Sequence, residues 1–293
     1  MISINGKTRT CGLVGNPVEH TLSPMIHNTL ASLQDHNLVY IPFLVEKEKL
    51  IEAIKGAFGL NILGMNVTIP YKSDIIPLLC EIDELAENIG AVNTLVRMED
   101  GFKGYNTDML GLLRAMNTEG ILLKGEDIII LGAGGAARAV AFLCASNGAH
   151  RIFLLNRTLE KAEQVANEVN HCFHTSSIVP MKMSDHHLLP DKHYLAIQGT
   201  SVGLSPNISE APIEDKSFYK KIHTGYDLIY NPVKTKFMSN VEQGGGRAFN
   251  GLKMLLYQGV IAYELWNQVS ISESQAEYVY IQMMKEIEKK INE

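Results

Sequence analysis

Asp127-Ile-Ile-Ile-Leu131 runs into Gly132-Ala-Gly-Gly-Ala-Ala137, an alanine-rich run reaches Gly148, and Arg151-Ile-Phe-Leu-Leu155 leads to Asn156-Arg157. The first apolar run is short, β-branched and closed by glycine, which is the pattern of a buried parallel strand. Ala136 to Asn147 is rich in helix formers and stops at a glycine suited to a helix C-terminus. Ile152 to Leu155 reads as a second buried strand. The three form one strand-helix-strand unit with G-x-G-x-x-A at its first turn. Gly132 permits the tight turn, Gly134 lets backbone approach a pyrophosphate, and Ala137 lets the helix lie near the sheet. The free N–H groups at the helix start favour phosphate. A turn of this kind can also occur in an α/β domain that holds nothing. The flanking strands at the right distances make dinucleotide binding the better reading.

The end of the second strand refines the ligand. NAD-binding units usually carry an acid there for the ribose 2′-hydroxyl. This chain carries Asn156, Arg157 and Thr158. No carboxylate stands where it would repel a 2′-phosphate, and a guanidinium stands where it could grip one, so NADP is expected, with NAD as the alternative cofactor. The bland reading of Arg157 is a solvated loop arginine.

Bulk properties narrow the class. With 293 residues, 46% hydrophobic and 20% charged, the chain has the composition of a globular protein large enough for two domains. A net charge of −6 without a basic cluster argues against nucleic acid and anionic membrane as partners. Met1 to Thr10 lacks an apolar signal core, and no run is long enough to span a membrane. The four cysteines form no C-x-x-C pair, which suits a reducing cytoplasm. The histidines at 171, 174, 186, 187 and 193 have no recognised ligand spacing, so no metal is expected.

Upstream of the glycine-rich unit, Arg9 to Val14, Leu38 to Val45 and Gly64 to Val67 read as strands. Ser23-Pro24 is a helix start with serine as cap and proline first, and the helix should run to about Asp35. That leaves Thr21 and Ser23 beside the C-terminal end of the first strand, the edge where open α/β sheets bind ligands. Asn66, Thr68 and Lys72 fall at the end of the third strand. Glu99-Asp100-Gly101 is a hairpin turn, and Asn106-Thr107-Asp108 opens a helix. Ser23 can be read as a cap only, Lys72 as a surface charge, and Asp108 as an acid favoured by a helix dipole. Downstream, Leu159 to Val169 is helical, Tyr194 to Ile197 and Asp227 to Tyr230 are strands, and Arg247 to Phe249 is a last short strand. Gln258 shares a helix face with Met254, Ile261 and Ala262, so it is either a core bridge or a substrate contact. Ser274-x-x-Glu277 reads as a capping box before a helix with Val279, Met283, Ile287 and Ile291 on one face.

Together these words resemble the shikimate dehydrogenase family along nearly the whole chain. The resemblance is carried by Gly15-Asn-Pro-Val-Glu-His-Thr-Leu-Ser-Pro-Met-Ile-His-Asn28, Asn66-Val-Thr-Ile-Pro-Tyr-Lys72, Gly90-Ala-Val-Asn-Thr94 and Gly104-Tyr-Asn-Thr-Asp108. It continues through Gly132 to Ala136, Asn156-Arg-Thr158, Thr200-Ser-Val-Gly203, Tyr230-Asn-Pro232 and Gly251-Leu-Lys-Met-Leu255 with Gln258. The resemblance implies an α/β fold in two lobes: a substrate-binding lobe over 1–107, a Rossmann-type NADP-binding lobe over 108–250, and C-terminal helices over 251–293 that return to the first lobe. It implies reversible, NADP-dependent reduction of 3-dehydroshikimate to shikimate, a step toward chorismate and the aromatic amino acids, by a cytoplasmic monomer or homodimer.

The resemblance also assigns roles. Thr21 and Ser23 would bind the substrate carboxylate. Thr68, Asn93, Tyr230 and Gln258 would contact ring hydroxyls, and Lys72 and Asp108 would form the catalytic pair, with Asp108 also touching substrate. Gly132, Ala133, Gly134, Gly135, Ala136, Asn156, Arg157, Thr158, Lys161 and Gly251 would surround NADP, with Ile229 near the nicotinamide. Three positions depart from the family's usual residues: Thr21 replaces Ser, Gln198 replaces Asn, and Lys253 replaces Gly. Sister enzymes oxidise quinate, some with NAD, so a quinate/shikimate dehydrogenase is the alternative. A non-catalytic ligand-sensing regulator is the remote one, and it predicts loss of Lys72 or Asp108, both of which are present.

Overall fold

The structure is a computed structural model and describes residues 4–174 and 177–292, with side chains through Lys289. Position 291 of the last apolar stripe therefore lies outside the described side chains. In chain order the elements begin with β1 (Arg9–Gly15), α1 (Ser23–Leu33), β2 (Leu38–Leu44), α2 (Leu50–Gly59), β3 (Gly64–Val67), β4 (Glu81–Ile82) and α3 (Glu84–Ile89). β5 (Thr94–Arg97), β6 (Phe102–Tyr105), α4 (Thr107–Thr118), β7 (Asp127–Leu131), α5 (Gly135–Ser146), β8 (Arg151–Asn156) and α6 (Leu159–Cys172) follow. Then come β9 (Ile178–Lys182), β10 (Tyr194–Gln198), α7 (Lys216–Tyr219), β11 (Ile222–Asp227), α8 (Lys236–Gln243), β12 (Arg247–Phe249), α9 (Leu252–Asn267) and α10 (Glu273–Asn292).

The chain divides into two compact units, Met1–Arg114 with Leu255–Glu293, and Ala115–Met254. The first unit holds a six-stranded mixed sheet in the order β2-β1-β3-β5-β6-β4. β1 pairs in parallel with β2 and β3, while β5 is antiparallel to both β3 and β6. This alternation decides where the loops fall. The residues after β1 and β3, the residues before β5 and the residues after β6 all emerge at one edge of the sheet. Thr21, Ser23, Thr68, Lys72, Asn93 and Asp108 follow or precede those strand ends.

The second unit is a parallel six-stranded sheet in the order β12-β11-β10-β7-β8-β9. That is the doubly wound Rossmann order, and the strand direction reverses its progress between β7 and β10. β7, β8 and β10 are nearly all apolar and buried, as strands covered on both faces must be. No helix among the described residues is long and apolar enough to cross a membrane.

Several local readings change. The strand read as Asp227 to Tyr230 is Ile222–Asp227, so Ile229 and Tyr230 lie on the loop after it. The helix read as capped by Ser23 takes Leu22 at its cap position without a side-chain bond, and Ser23 is its first residue. The last capping box sits two residues earlier. Ser272 Oγ accepts from Gln275 N, and Gln275 Oε1 accepts from Ser272 N at 3.1 Å. Three further elements, β4, β9 and α7, are short and had no sequence signal of their own.

Candidate functional site

In the first unit the centre is an ion pair. Lys72 Nζ donates to Asp108 Oδ2 at 2.6 Å, with side chains 33% and 21% exposed. Each is anchored through its backbone or its neighbours. The carbonyl of Lys72 accepts from Val92 N at 2.7 Å, and the Tyr71 hydroxyl before it donates to the Val45 carbonyl. Asp108 lies in the first turn of α4, whose start is held by Asn106 Oδ1 accepting from Met109 N at 3.1 Å. Asp108 is thus both a dipole-favoured acid and the partner of Lys72.

Asn93 is fixed more tightly than its sequence position reveals. Its Oδ1 accepts from Thr107 N at 2.7 Å and from the hydroxyls of Thr107 and Thr94, each at 3.2 Å. With its oxygen spent, Asn93 has only its amide N–H₂ group left, which is a donor. Asn66, at the end of β3, bridges the core. Its Oδ1 accepts from the Tyr40 hydroxyl at 2.8 Å and from His27 Nε2 at 3.1 Å, and its Nδ2 donates to Thr94 Oγ1 at 3.0 Å.

The hydroxyls of Thr21, Ser23 and Thr68 follow β1 and β3. Thr21 Oγ1 accepts from Ser23 N and donates to Ser23 Oγ, both at 3.1 Å, so the two hydroxyls stand together and neither is used as a helix cap. Thr21 in place of serine keeps that hydroxyl and adds a methyl. A side chain at Gly15 would collide with the Thr68 methyl, so this glycine lets Thr68 lie against β1. Gln258 is 6% exposed, and its Nε2 donates to Leu255 O at 2.9 Å within its own helix. It reaches this position because Gly111 lets α4 and α9 touch: a Cβ there would stand 2.5 Å from Gln258 N.

The second unit gathers its residues at the C-terminal edge of the parallel strands. Gly132 has φ +107°, and a Cβ on it would press on Thr200 and Gly199. Gly134 is the N-cap of α5 with no side-chain cap bond, and Cβ atoms at Gly134 and Gly135 would meet nothing within 4 Å. Exposed glycines and uncapped N–H groups at a helix start are what a pyrophosphate requires. Ala137 is buried against Gly199. At the end of the neighbouring β8, Asn156 Nδ2 donates to Thr158 O at 2.8 Å and shapes the turn, while Arg157, Thr158 and Lys161 are exposed. Two cations beside a threonine hydroxyl fit a phosphate monoester.

The loop after β11 is held at both ends. Asp227, fully buried, accepts from Ile229 N at 3.0 Å and from the Thr235 hydroxyl at 2.6 Å. Gly251 N donates to Ile229 O at 3.0 Å, and a side chain at Gly251 would strike the Leu228 carbonyl. Burial pushes the Tyr230 phenol above its usual range. Burial also raises Asp227 to about 6, against the two hydrogen bonds that lower it. Neither Asp227 nor the Asn93 network stood out in the sequence. An acid directly before the Leu228-Ile229-Tyr230 run was the only available signal for the first. Gln198, the second departure, staples its own loop: its Oε1 accepts from Thr200 N and its Nε2 donates to Val202 O at 3.0 Å. Lys253, the third, pairs with Glu119.

Comparison with known proteins agrees with both halves. Residues 13–95 match the family model described as shikimate dehydrogenase substrate binding domain, and residues 115–188 match the one described as shikimate / quinate 5-dehydrogenase. The shikimate dehydrogenase (NADP(+)) of Desulforamulus reducens is 42% identical over 268 residues, covering 90% of this chain and 91% of that protein. The crystal structure of the Listeria monocytogenes shikimate 5-dehydrogenase, in complex with shikimate and NAD, has a TM-score of 0.88 and 30% identity over 96% of this chain and 98% of that one. The Thermus thermophilus enzyme, in complex with NADP(H) and shikimate, has a TM-score of 0.81 and 30% identity over 94% of this chain and 99% of that one.

Proposed function

The chain belongs to the shikimate dehydrogenase family, and we propose that it catalyses the NADP-dependent, reversible reduction of 3-dehydroshikimate to shikimate. The observation that carries this reading is the Lys72–Asp108 pair, 2.6 Å apart at the sheet edge where the hydroxyls of Thr21, Ser23 and Thr68 also emerge. NADP, when bound, supplies or accepts the hydride. The protein must then move a proton to or from the carbinol oxygen. The Lys72 ammonium donates that proton in reduction and recovers it in oxidation, while Asp108 holds the Nζ in place and accepts from a ring hydroxyl. Thr21 and Ser23 bind the carboxylate through paired hydroxyls. Thr68, Asn93, Tyr230 and Gln258 read the ring hydroxyls, and Asn93 does so as a donor.

For the cofactor, Gly132, Ala133, Gly134, Gly135 and Ala136 take the pyrophosphate, and Asn156, Arg157, Thr158 and Lys161 take the adenosine 2′-phosphate. Ile229 and Gly251 lie by the nicotinamide. The enzyme acts in the cytoplasm, with its cysteines as free thiols. The test is a spectrophotometric assay of the purified protein with shikimate or quinate, each with NADP⁺ or NAD⁺. A kcat/KM for shikimate with NADP⁺ well above the other three pairs is expected. Equal turnover of quinate would replace this assignment with a quinate/shikimate dehydrogenase, and no turnover with any pair would remove it.

A further inference from the structure

The reaction just described leaves a fully buried carboxylate without a task. Asp227 ends β11 and has no cation among its described partners; it accepts from the backbone N–H of Ile229 and from the hydroxyl of Thr235. A buried carboxylate costs stability unless each oxygen is satisfied by donors. Here both donors belong to one short stretch of chain. Ile229 begins the loop, and Thr235 closes it by capping α8, where Thr235 Oγ1 accepts from Met238 N at 3.2 Å. The loop is tied at two further points: Leu228 N donates to Gln198 O at 3.1 Å, and Asn250 Nδ2 donates to Val233 O at 2.9 Å. Gly203, at φ +98°, lies on its flank, where a Cβ would stand in ordinary contact at 3.8 Å from both Ile229 and Thr235. Tyr230 sits in the middle of this span, and its hydroxyl has no hydrogen bond among the described residues. Asp227 holds the backbone that carries Tyr230 from both sides, through Ile229 N before it and Thr235 Oγ1 after it.

We infer that Asp227 is a positioning residue for the reaction: by receiving Ile229 N and Thr235 Oγ1 together, its carboxylate sets the loop so that the Tyr230 hydroxyl meets a substrate hydroxyl. This rests on the reading of Tyr230 as a substrate contact. Asp227 itself touches neither substrate nor cofactor. A residue that acts only by placing another reveals itself through non-additivity, because its effect disappears once the placed group is gone.

The experiment is a double-mutant cycle on the full chain, with kcat and KM for shikimate measured under saturating NADP⁺. D227A, checked for folding by circular dichroism, should lower kcat/KM by about 100-fold, the scale expected when a contact is misplaced by about an ångström. D227N keeps an acceptor for Ile229 N and offers Thr235 Oγ1 a donor in place of an acceptor, so it should restore most of the loss. In the Y230F background D227A should cost only a few-fold more. Wild-type kinetics in D227A, or an undiminished effect of D227A on top of Y230F, would overturn the inference. If D227A does not fold, T235V removes one of the two donors together with the α8 cap and should lower kcat/KM by at least about 10-fold, the scale of one neutral hydrogen bond; no change would overturn it too. The exchange rate of the Ile229 amide hydrogen should rise in D227A or T235V whatever the enzyme turns over. That readout separates a failure here from a failure of the substrate assignment.

Discussion

Lys72 and Asp108 show how little of a side chain's role lies in its identity. A lysine after a proline turn and an acid in a first helical turn are each ordinary on a surface. The parallel run of β1 and β3, followed by the antiparallel return of β5 and β6, brings their loops to one edge and closes them to 2.6 Å. Replacing Lys72 with alanine removes the proton carrier and leaves the binding hydroxyls in place. The expected loss is about 10²–10⁴-fold in kcat with a much smaller rise in KM, read by steady-state kinetics. An unchanged kcat would remove Lys72 from the chemistry. Arg157 is exposed and makes no hydrogen bond or ion pair among the described residues. Arg157→Ala should raise KM for NADP⁺ by about 10–100-fold, the range of a charge-assisted hydrogen bond, and leave KM for NAD⁺ nearly unchanged.

At the scale of elements, the long periodic pieces were legible and the short ones were not. β7, α5 and β8 were readable because their apolar runs, glycines and lengths point the same way. β9 was not, since Pro180 within Ile178–Lys182 argues against a strand; it is tolerated because β9 is the sheet's edge. The end of β11 was misread because Asp227-Leu-Ile-Tyr230 is apolar enough for a strand, and only the pairing of Thr224 to Asp227 with β10 shows where the ladder stops. In the same way Ser274 had the right spacing for a capping box, but Ser272 with Gln275 has it too, and the helix starts at Glu273. What sequence could not show at all is the distance between elements. Gly111 in α4 stands against the backbone of Gln258 in α9, and no neighbour in sequence announces it. Gly111→Ala would gain helix propensity on an isolated helix. Here its Cβ meets main chain that cannot rotate away, so a loss of roughly 1–3 kcal/mol is expected by urea denaturation, with a raised KM for shikimate as Gln258 shifts.

For the molecule as a whole, two buried groups titrate in opposite senses. His27 is fully buried and lowered to about 3, by burial above all, against its bond to Asn66. Its Nε2 donates to Asn66, and its Nδ1 is buried with no partner, so a second proton there would be an unpaired N–H. Its folded value lies below the unfolded 6.5, so its contribution is complete above about pH 6.5 and is lost as pH falls toward 3. That shift corresponds to at most roughly 5 kcal/mol. Asp227, raised from 3.8 to about 6, behaves the other way: its contribution is complete below 3.8 and is lost as pH rises through 6. Acid should therefore weaken the unit built around the first sheet before the Rossmann unit. Trp266 is the only tryptophan, 5% exposed, and its Nε1 donates to Leu95 O in the first unit, so its fluorescence reports on that unit alone. Between about pH 6 and 4 its emission should shift to the red while NADP⁺ binding, followed by calorimetry, is still measurable. His27→Gln, which keeps a donor for Asn66 but cannot ionise, should delay the shift. Loss of both signals at the same pH would contradict the assignment.

The Rossmann unit is continuous, Ala115–Met254, while the first unit needs Leu255–Glu293 to complete it. Trp266 fills the space over Gly64, and Gly259 lets α9 lie against Ile26 and His27 of α1. On the ribosome, then, the half that is translated first is finished last. The strands of the first sheet emerge early and wait with an open flank until the final helices arrive, by which time the middle of the chain can already have folded. A stalled or prematurely terminated message would release a well-formed nucleotide domain joined to an unfinished partner, and that partner's uncovered apolar face is where quality-control chaperones and proteases would first take hold.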